Sequence, residues 1–516
     1  MALEEVYVTF LKRLPGIAEP LERLSFKTKI KWTGLVLVLY LLMSQIKVYG
    51  VGEAAFEQFQ LLATLLGSSF GTLMTLGIGP IVTSSIILQL LVGSKIIPWD
   101  LASESGKVLF QGTQKFLAII FSFVEAIIFV TMGAVPAAAP QFVLIVVLQL
   151  AIGGILVIFM DELISKWGFG SGVSLFIAAG VSKTIIIRAF SPLVAGCSGL
   201  GSCIPSAASP PSGLIPFAIS ALGAGEPLQS FFAVLPLIAT ILVFFLVIYA
   251  NAIKVEIPLA FGSIRGFGRR WPLKFFYTSN LPVILIAALL ANVQMMGRMM
   301  AEKGMTWFGT FNAEGQATGG LVYFLIPPRT EAISGLMVFI GLFVLLGAFI
   351  TYMTKRRNVK LVGLFGLVGA IAWYGLVTAL GLTSLTVITP VDIARMFVYS
   401  LFMIGGAVVF SVFWVITAGM DAGAVANQIQ STGMQIPGYR RDVRIIERVL
   451  NRYIPGLTIL GGAAVGFLAA FADFTGALGS GTGILLTTMI IYSFYEELAA
   501  QQMEDMHPAF RKLLGK

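Results

Sequence analysis

Few side chains in this 516-residue chain could carry out covalent chemistry. The single histidine, His507, stands near the C-terminus, so no apolar segment holds a His-x-x-x-His metal pair or the histidine that a serine nucleophile needs. Cys197 and Cys203 are the only cysteines, too few with one histidine for zinc or iron-sulfur ligand spacing. They are close enough to close a small disulfide on an oxidising face, two free thiols being the alternative. Ser105-Gly106-Lys107 lacks the first glycine and the Ser/Thr of a phosphate-binding loop. The sequence therefore points away from catalysis and from any metal or cofactor.

The remaining polar groups of interest lie inside oily stretches. Glu125 sits midway along "FLAIIFSFVEAIIFVTM", and a charge at the centre of a bilayer costs about 2.5 to 3.5 kcal/mol on insertion scales. It must face protein or water, or be protonated. Thr83 and Asn292 are other mid-segment polar groups able to hydrogen-bond it across helices, each contact contributing about 0.6 to 2 kcal/mol. Three roles stay open: structural glue, a seam between helices that must part, and a proton-coupling carboxylate. A second feature is a fault at the start of "LGIGPIVTSSIILQLLVGS", residues 76–94, where Gly77, Gly79 and Pro80 remove backbone stiffness and one N–H donor. Broken backbone at membrane depth survives only when buried in protein or lining a cavity, so a cavity is implied. The preceding "EAAFEQFQLLATLLGSSF", 53–70, suits a re-entrant helix, apolar through Phe56, Phe59, Leu62, Leu65, Leu66 and Phe70.

The elements that position these residues follow from composition. Residues are 57% hydrophobic and 11% charged, with a mean hydropathy of +0.92, against about 25% charged in an ordinary soluble domain. Twelve apolar segments are long enough to read as spans: 32–48, 76–94, 114–133, 141–160, 172–188, 231–251, 279–300, 333–353, 361–382, 394–417, 456–473 and 480–498. Residues 1–29 lack the apolar block of a removable signal peptide, which places the N-terminus inside. Cytoplasmic loops then hold 27 of the 34 lysines and arginines, as the positive-inside rule requires. Two of those loops exceed plain connectors: "KVEIPLAFGSIRGFGRRWPLK", 254–274, and a stretch over 418–455 in which Arg440, Arg444, Arg448 and Arg452 recur every fourth residue along one helix face. Such clusters either hold topology or meet a polyanion, RNA or anionic lipid.

The motifs "KIKWTGLVLVLYLLM", "LGIGPIVTSSIILQLLVGS", "VLFQGTQK", "GFGSGVSLFIAAGVS", "VEIPLAFGSIRG", "YTSNLPVILIAALLANVQ", "RYIPGLTIL", "GALGSGTGILLT" and "HPAFRKLLGK" run from about residue 25 to the C-terminus. They resemble those of the SecY family in its archaeal form, the channel-forming subunits of the Sec translocon. The resemblance implies an all-α integral membrane protein: a polytopic helical bundle of two pseudo-symmetric halves, five spans each, around a central pore. It implies small membrane subunits of the SecE/gamma and SecG/beta types, a ribosome at the cytoplasmic loops, and passage of nascent secretory and membrane polypeptides, with signal sequences and membrane segments released sideways into lipid. Carried across, the pore ring is Ile78, Val82, Val173, Ile177, Ile284 and Leu486. Segment 54–70 is the plug, Thr83, Glu125 and Asn292 form a polar cluster at the lateral gate, and Arg265, Arg269, Arg270, Arg440, Arg441 and Arg444 face the ribosome.

The implied organisation is a cytoplasmic segment 1–29, an N-terminal half 30–190, an external loop 191–230, the first part of the C-terminal half 231–300, an external loop 301–332, and the remainder 383–498 with its basic loop 418–455, then a cytoplasmic tail 499–516. Residues 333–382 depart from the family pattern as an extra two-span hairpin, whose basic turn "KRRNVK" lands inside. A twelve-span secondary transporter is the alternative suggested by the span count, the broken helix and Glu125. A membrane scaffold without a pore is a third class. The expected location is the cytoplasmic membrane, multi-pass, both termini cytoplasmic.

Overall fold

The computed structural model describes residues 2–505 apart from 23, 53–68, 70, 100–102, 132, 195–204, 206–208, 262–267, 279, 303, 313–316, 329, 355–358, 383–386, 432–433 and 436–441. Cys197, Cys203, His507 and the six apolar residues of the 54–70 segment thus lie outside the described residues. In chain order the helices are α1 (Ala2–Lys12), α2 (Phe26–Met43), α3 (Gly79–Gly93), α4 (Glu104–Thr131), α5 (Val143–Trp167), α6 (Gly172–Phe190), α7 (Leu214–Gly223) and α8 (Pro227–Asn251). A hairpin of β1 (Lys254–Phe261) and β2 (Gly268–Lys274) leads to α9 (Leu281–Glu302), β3 (Thr310–Phe311), β4 (Ala317–Gly319) and α10 (Leu321–Phe324). Then come α11 (Glu331–Met353), α12 (Val359–Ala379), α13 (Pro390–Thr417), α14 (Ala422–Ser431), β5 (Met434–Gln435), α15 (Val443–Leu450), α16 (Ile454–Phe474) and α17 (Gly481–Asp505).

Each of the twelve apolar segments falls on one of these helices. Among the described residues nine are long and apolar enough to cross a membrane, namely α4, α5, α6, α8, α9, α11, α12, α13 and α16, which makes this a multi-pass membrane protein. The other three differ for local reasons: α2 carries Lys27, Lys29 and Lys31, α3 has only 15 residues, and α17 ends in a polar stretch from Glu496. Among the described helix starts, those of α2, α11, α13 and α15 carry a side-chain cap, from Ser25, Thr330, Thr389 and Asp442. At α13 the Asp392 N–H donates to Thr389 Oγ1 at 3.2 Å and the Thr389 N–H donates to Asp392 Oδ2 at 3.4 Å, a capping box completed by Pro390, whose missing N–H is no loss there.

The helical body encloses one contiguous apolar core drawn from nearly all the long helices. A second, smaller core joins Leu273, Val425, Ala426, Ile429, Ile446 and Leu450 beneath the 254–274 and 418–455 loops. Strands are the exception in this all-α body: β1 lies between β2 and β5 in a three-stranded antiparallel sheet built from those two loops. The N-terminal segment is also tied down. Phe10 meets the Phe116 ring edge-on at 5.4 Å, Lys166 Nζ donates to the Ile17 carbonyl at 2.6 Å, and Trp167 Nε1 donates to the Ala18 carbonyl at 2.9 Å.

The α11–α12 pair packs through glycine notches. Trp373 of α12, 1% exposed, presses on Gly335 so closely that an added Cβ would stand 2.1 Å from its ring. Leu242 of α8 and Phe471 of α16 close on Gly341 in the same way, which fastens the hairpin to the body. Gly335→Ala is therefore expected to lower the thermal midpoint of the purified protein, by about 1 to 3 kcal/mol of overpacking. Gly363→Ala, with nothing within 4 Å of the new Cβ, should leave it unchanged or raise it; a melting curve of each variant checks both.

Candidate functional site

The site is built on the broken segment before α3. Gly71 and Gly77 take positive φ, +77° and +52°, a region that favours glycine, and α3 begins at Gly79 with Pro80 in its first turn. Irregular backbone here is paired by its neighbours: the Leu73 N–H donates to the Ile46 carbonyl at 3.0 Å and the Val48 N–H to the Gly71 carbonyl at 2.9 Å. The Leu73 carbonyl lies against Gly153 of α5, 1.9 Å from where a Cβ would stand. Only a glycine admits that approach.

Of the six aliphatics, Ile78, Val82, Ile177, Ile284 and Leu486 are each no more than 4% exposed, and Val173 is half-buried. Five belong to the same contiguous apolar cluster and Val173 packs against it; they come from the residue that caps α3 and from α3, α6, α9 and α17. A cavity of about 1280 Å³ opens against this cluster, and Val82, Val173 and Ile284 line it. Ile78 and Ile177 stand one helical turn from Val82 and Val173 and are not part of the lining. The geometry is a chamber that ends on branched aliphatic side chains, with closely packed apolar groups behind them. The rest of its wall comes from α3, α4 and the 95–99 loop, Asp161 of α5, the starts of α6, α9 and α14 and the end of α13, with Lys95 and Lys107 among the lining residues.

The three mid-segment polar residues divide. Thr83 Oγ1 donates to Glu125 Oε1 at 2.8 Å, joining α3 to α4, and Glu125 is buried. Gly79 makes room for the carboxylate, since a Cβ there would lie 2.7 Å from Glu125 Oε2. Asn292 is half-buried on α9, and no hydrogen bond joins it to Thr83 or Glu125.

Several polar contacts were not anticipated from sequence. The Val173 N–H donates to Asp161 Oδ1 at 2.9 Å, so a carboxylate at the end of α5 holds the first turn of α6, where the lining valine sits. Asp473, buried near the end of α16, accepts from Tyr399 Oη at 2.6 Å, from the Thr482 N–H at 3.0 Å and from the Thr482 hydroxyl. It ties α13, α16 and α17 together. The available signal was the same as for Glu125: Asp161 in "VIFMDELI" and Asp473 in "AAFADFTG" are acids within apolar runs.

The basic loops meet through backbone. Leu259 and Pro258 of β1 pair with Arg269 and Arg270 of β2, while Ala260 and Phe261 pair with Gln435 and Met434 of β5. Arg265, Arg440 and Arg441 lie outside the described residues. Arg444 is exposed on α15, whose start is capped by Asp442 Oδ1 accepting the Arg444 N–H at 3.0 Å. The expectation of one arginine-lined helix face needs correction: α15 spans Val443–Leu450, so Arg444 and Arg448 share it while Arg452 falls in the turn before α16. Its length is set by the small core under it, which Ile446 and Leu450 enter.

Comparison with known proteins bears on this arrangement. The profile of the SecY family matches residues 72–495, and that of the plug domain of Sec61p matches residues 38–71. The chain is 43% identical to the protein translocase subunit SecY of Methanothermobacter thermautotrophicus over 99% of both chains, and 37% identical to that of Pyrococcus furiosus over the whole of both. It is similar to a solved structure described as "The structure of a protein conducting channel", at TM-score 0.75 and 38% identity, covering 97% of this chain and 98% of that one. Sec61 in the canine ribosome-channel complex from the endoplasmic reticulum follows at TM-score 0.73 and 38% identity, with the same coverage.

The packing of Gly79 on Glu125 sets an expected outcome. Gly79→Ala should displace the carboxylate from Thr83 and destabilise the protein by about 1 to 3 kcal/mol. In a Glu125→Ala background the same change should cost much less, because the colliding group is gone; a double-mutant cycle on thermal stability measures the difference.

Proposed function

The chain belongs to the SecY family, and on that premise we infer that it is a protein-conducting channel of a multi-pass membrane type, passing unfolded secretory polypeptides across the cytoplasmic membrane. One observation carries the mechanism: a chamber of about 1280 Å³ ends on Val82, Val173 and Ile284, three branched aliphatics from three helices, backed by the buried Ile78, Ile177 and Leu486. A hydrophobic constriction excludes water and ions by dewetting. Its side chains offer no hydrogen bond that would hold a particular substrate residue. The seal is therefore pliable and indifferent to sequence.

Other parts of the reading attach to this waist. The 54–70 segment is the plug on the far side, a proposal supported by the plug-domain match over residues 38–71. The lateral gate is the seam of α3 and α4 against α9 and α13, with Phe413 of α13 seated on Gly93 of α3, 2.7 Å from a would-be Cβ. Thr83 and Glu125 sit on one side of that seam and Asn292 on the other, so their polar groups can exchange partners when it parts. Opening there releases signal sequences and membrane segments into lipid. Both termini face the cytoplasm, the 333–382 hairpin brings the span count to twelve, and small subunits of the SecE/gamma and SecG/beta types clasp the two halves. The ribosome docks on the sheet-linked loops through Arg265, Arg269, Arg270, Arg440, Arg441 and Arg444, a proposal supported by the similarity to a Sec61 chain in a ribosome complex. The secondary-transporter alternative is not favoured, because the relatives are translocase subunits and the solved neighbours are channels.

Two outcomes are expected. Ile78→Gly or Val82→Asn should make resting vesicles leak ions, read by dye or current measurements; vesicles that stay tight argue against the waist. Arg269→Glu with Arg444→Glu should weaken ribosome binding and flatten its salt dependence by about one unit of slope per lost phosphate contact. An unaltered titration would remove both residues from the interface.

A further inference from the structure

The chamber in front of the waist carries a row of hydrogen-bonding side chains that a hydrophobic seal does not require. Ser85 and Gln89, one turn apart on α3, line it together with Gln111 and Gln114 of α4. Gln114 Nε2 donates to Ser85 Oγ at 2.5 Å, so that pair is satisfied. Gln89 is not. It is 3% exposed, and its Oε1 has no hydrogen-bond partner among the described residues. One turn further along α3 the facing group is the Phe413 ring at Gly93, which has no N–H or O–H to donate. A buried carbonyl oxygen without a donor destabilises the state that holds it. A leucine or methionine of similar volume would remove that burden and seal as well.

We propose that Gln89 Oε1, closed off from the chamber while Phe413 is seated on Gly93, is uncovered when α3 and α13 part and then accepts a backbone N–H of the extended polypeptide segment that enters the chamber, with Ser85, Gln111 and Gln114 completing a backbone-binding wall. The chemical class of the ligand follows from what every translocating chain shares. Each residue other than proline presents a main-chain N–H, so a single carboxamide acceptor before the waist engages any sequence and selects none. One neutral hydrogen bond is also weak enough to be broken at each step of movement. The inference rests on the reading of this chamber as the approach to the conducting path.

The test uses the complete channel complex in proteoliposomes, engaged by ribosome-stalled secretory chains that place either an alanine run or a proline run in the chamber. A photo-reactive residue at Phe110, which also lines the chamber, reports whether the run is there, and chain loss is timed after release from the ribosome. With Gln89 present, the alanine run is expected to leave about fivefold more slowly than the proline run, the weight of one hydrogen bond. Gln89→Leu and Gln89→Met are expected to abolish that difference, and Gln89→Glu, which keeps an acceptor, to retain it. A difference that survives both apolar substitutions overturns the proposal, as does equal loss of the two runs from the unmodified channel, the result if water pairs the carboxamide. Failure to obtain any adduct at Phe110 takes down the reading of the chamber as the chain's path, and this proposal with it; adducts with an unchanged ratio take down the proposal alone.

Discussion

A backbone that stops being helical inside a membrane must have its N–H and C=O groups paired by protein, because lipid offers no partner. Residues 71–78 impose that demand, and much of the architecture answers it. The Ile46 carbonyl and Val48 N–H reach in from the end of the 26–48 region, the Leu73 carbonyl fits a notch at Gly153, and Pro80 starts α3 without wasting a donor. Once this segment is held, α3 can begin part-way through the bundle. Ile78 and Val82 then stand where Val173, Ile284 and Leu486 arrive from three other helices.

The waist and the chamber use opposite physical strategies side by side. Aliphatic packing excludes water without directional bonds, while the chamber wall presents the hydroxyl of Ser85 and the amides of Gln89, Gln111 and Gln114, which bond directionally. Acids within the apolar body act as fasteners: Asp161 secures the turn that carries Val173, and Asp473 gathers Tyr399 and Thr482. Glu125 differs because its partner, Thr83, belongs to the helix that forms the waist. A buried carboxylate bonded across two helices favours their present arrangement, and loses that contribution if they part.

Outside the bundle, the two basic loops are one unit. Strand β1 pairs with β2 from its own loop and with β5 from the other, and a separate apolar core underlies them. Arg269 and Arg270 are therefore carried on a paired strand and Arg444 and Arg448 on a packed helix rather than on independent tethers. The α11–α12 hairpin is likewise a body part rather than an appendage, since Gly341 receives side chains from α8 and α16.

What could be read along the chain were properties carried by local stretches: apolar runs long enough to span, the lopsided placement of lysine and arginine, and the glycine and proline fault before Ile81. The motifs that resemble the SecY family singled out Ile78, Val82, Val173, Ile177, Ile284 and Leu486, which as isolated aliphatics carry no signal of their own and which the structure gathers at one apolar cluster. The loops were legible only as basic and irregular, because a two-residue strand such as Met434–Gln435 has no periodicity to detect and exists by pairing with a strand over 170 residues away. The same limit hid the Ser85–Gln114 bond, the Asp473 junction and the unpaired Gln89. A polar side chain's role depends on which donor or acceptor faces it across a helix boundary, and that is set by the packing of distant segments, so only the tertiary structure could decide it.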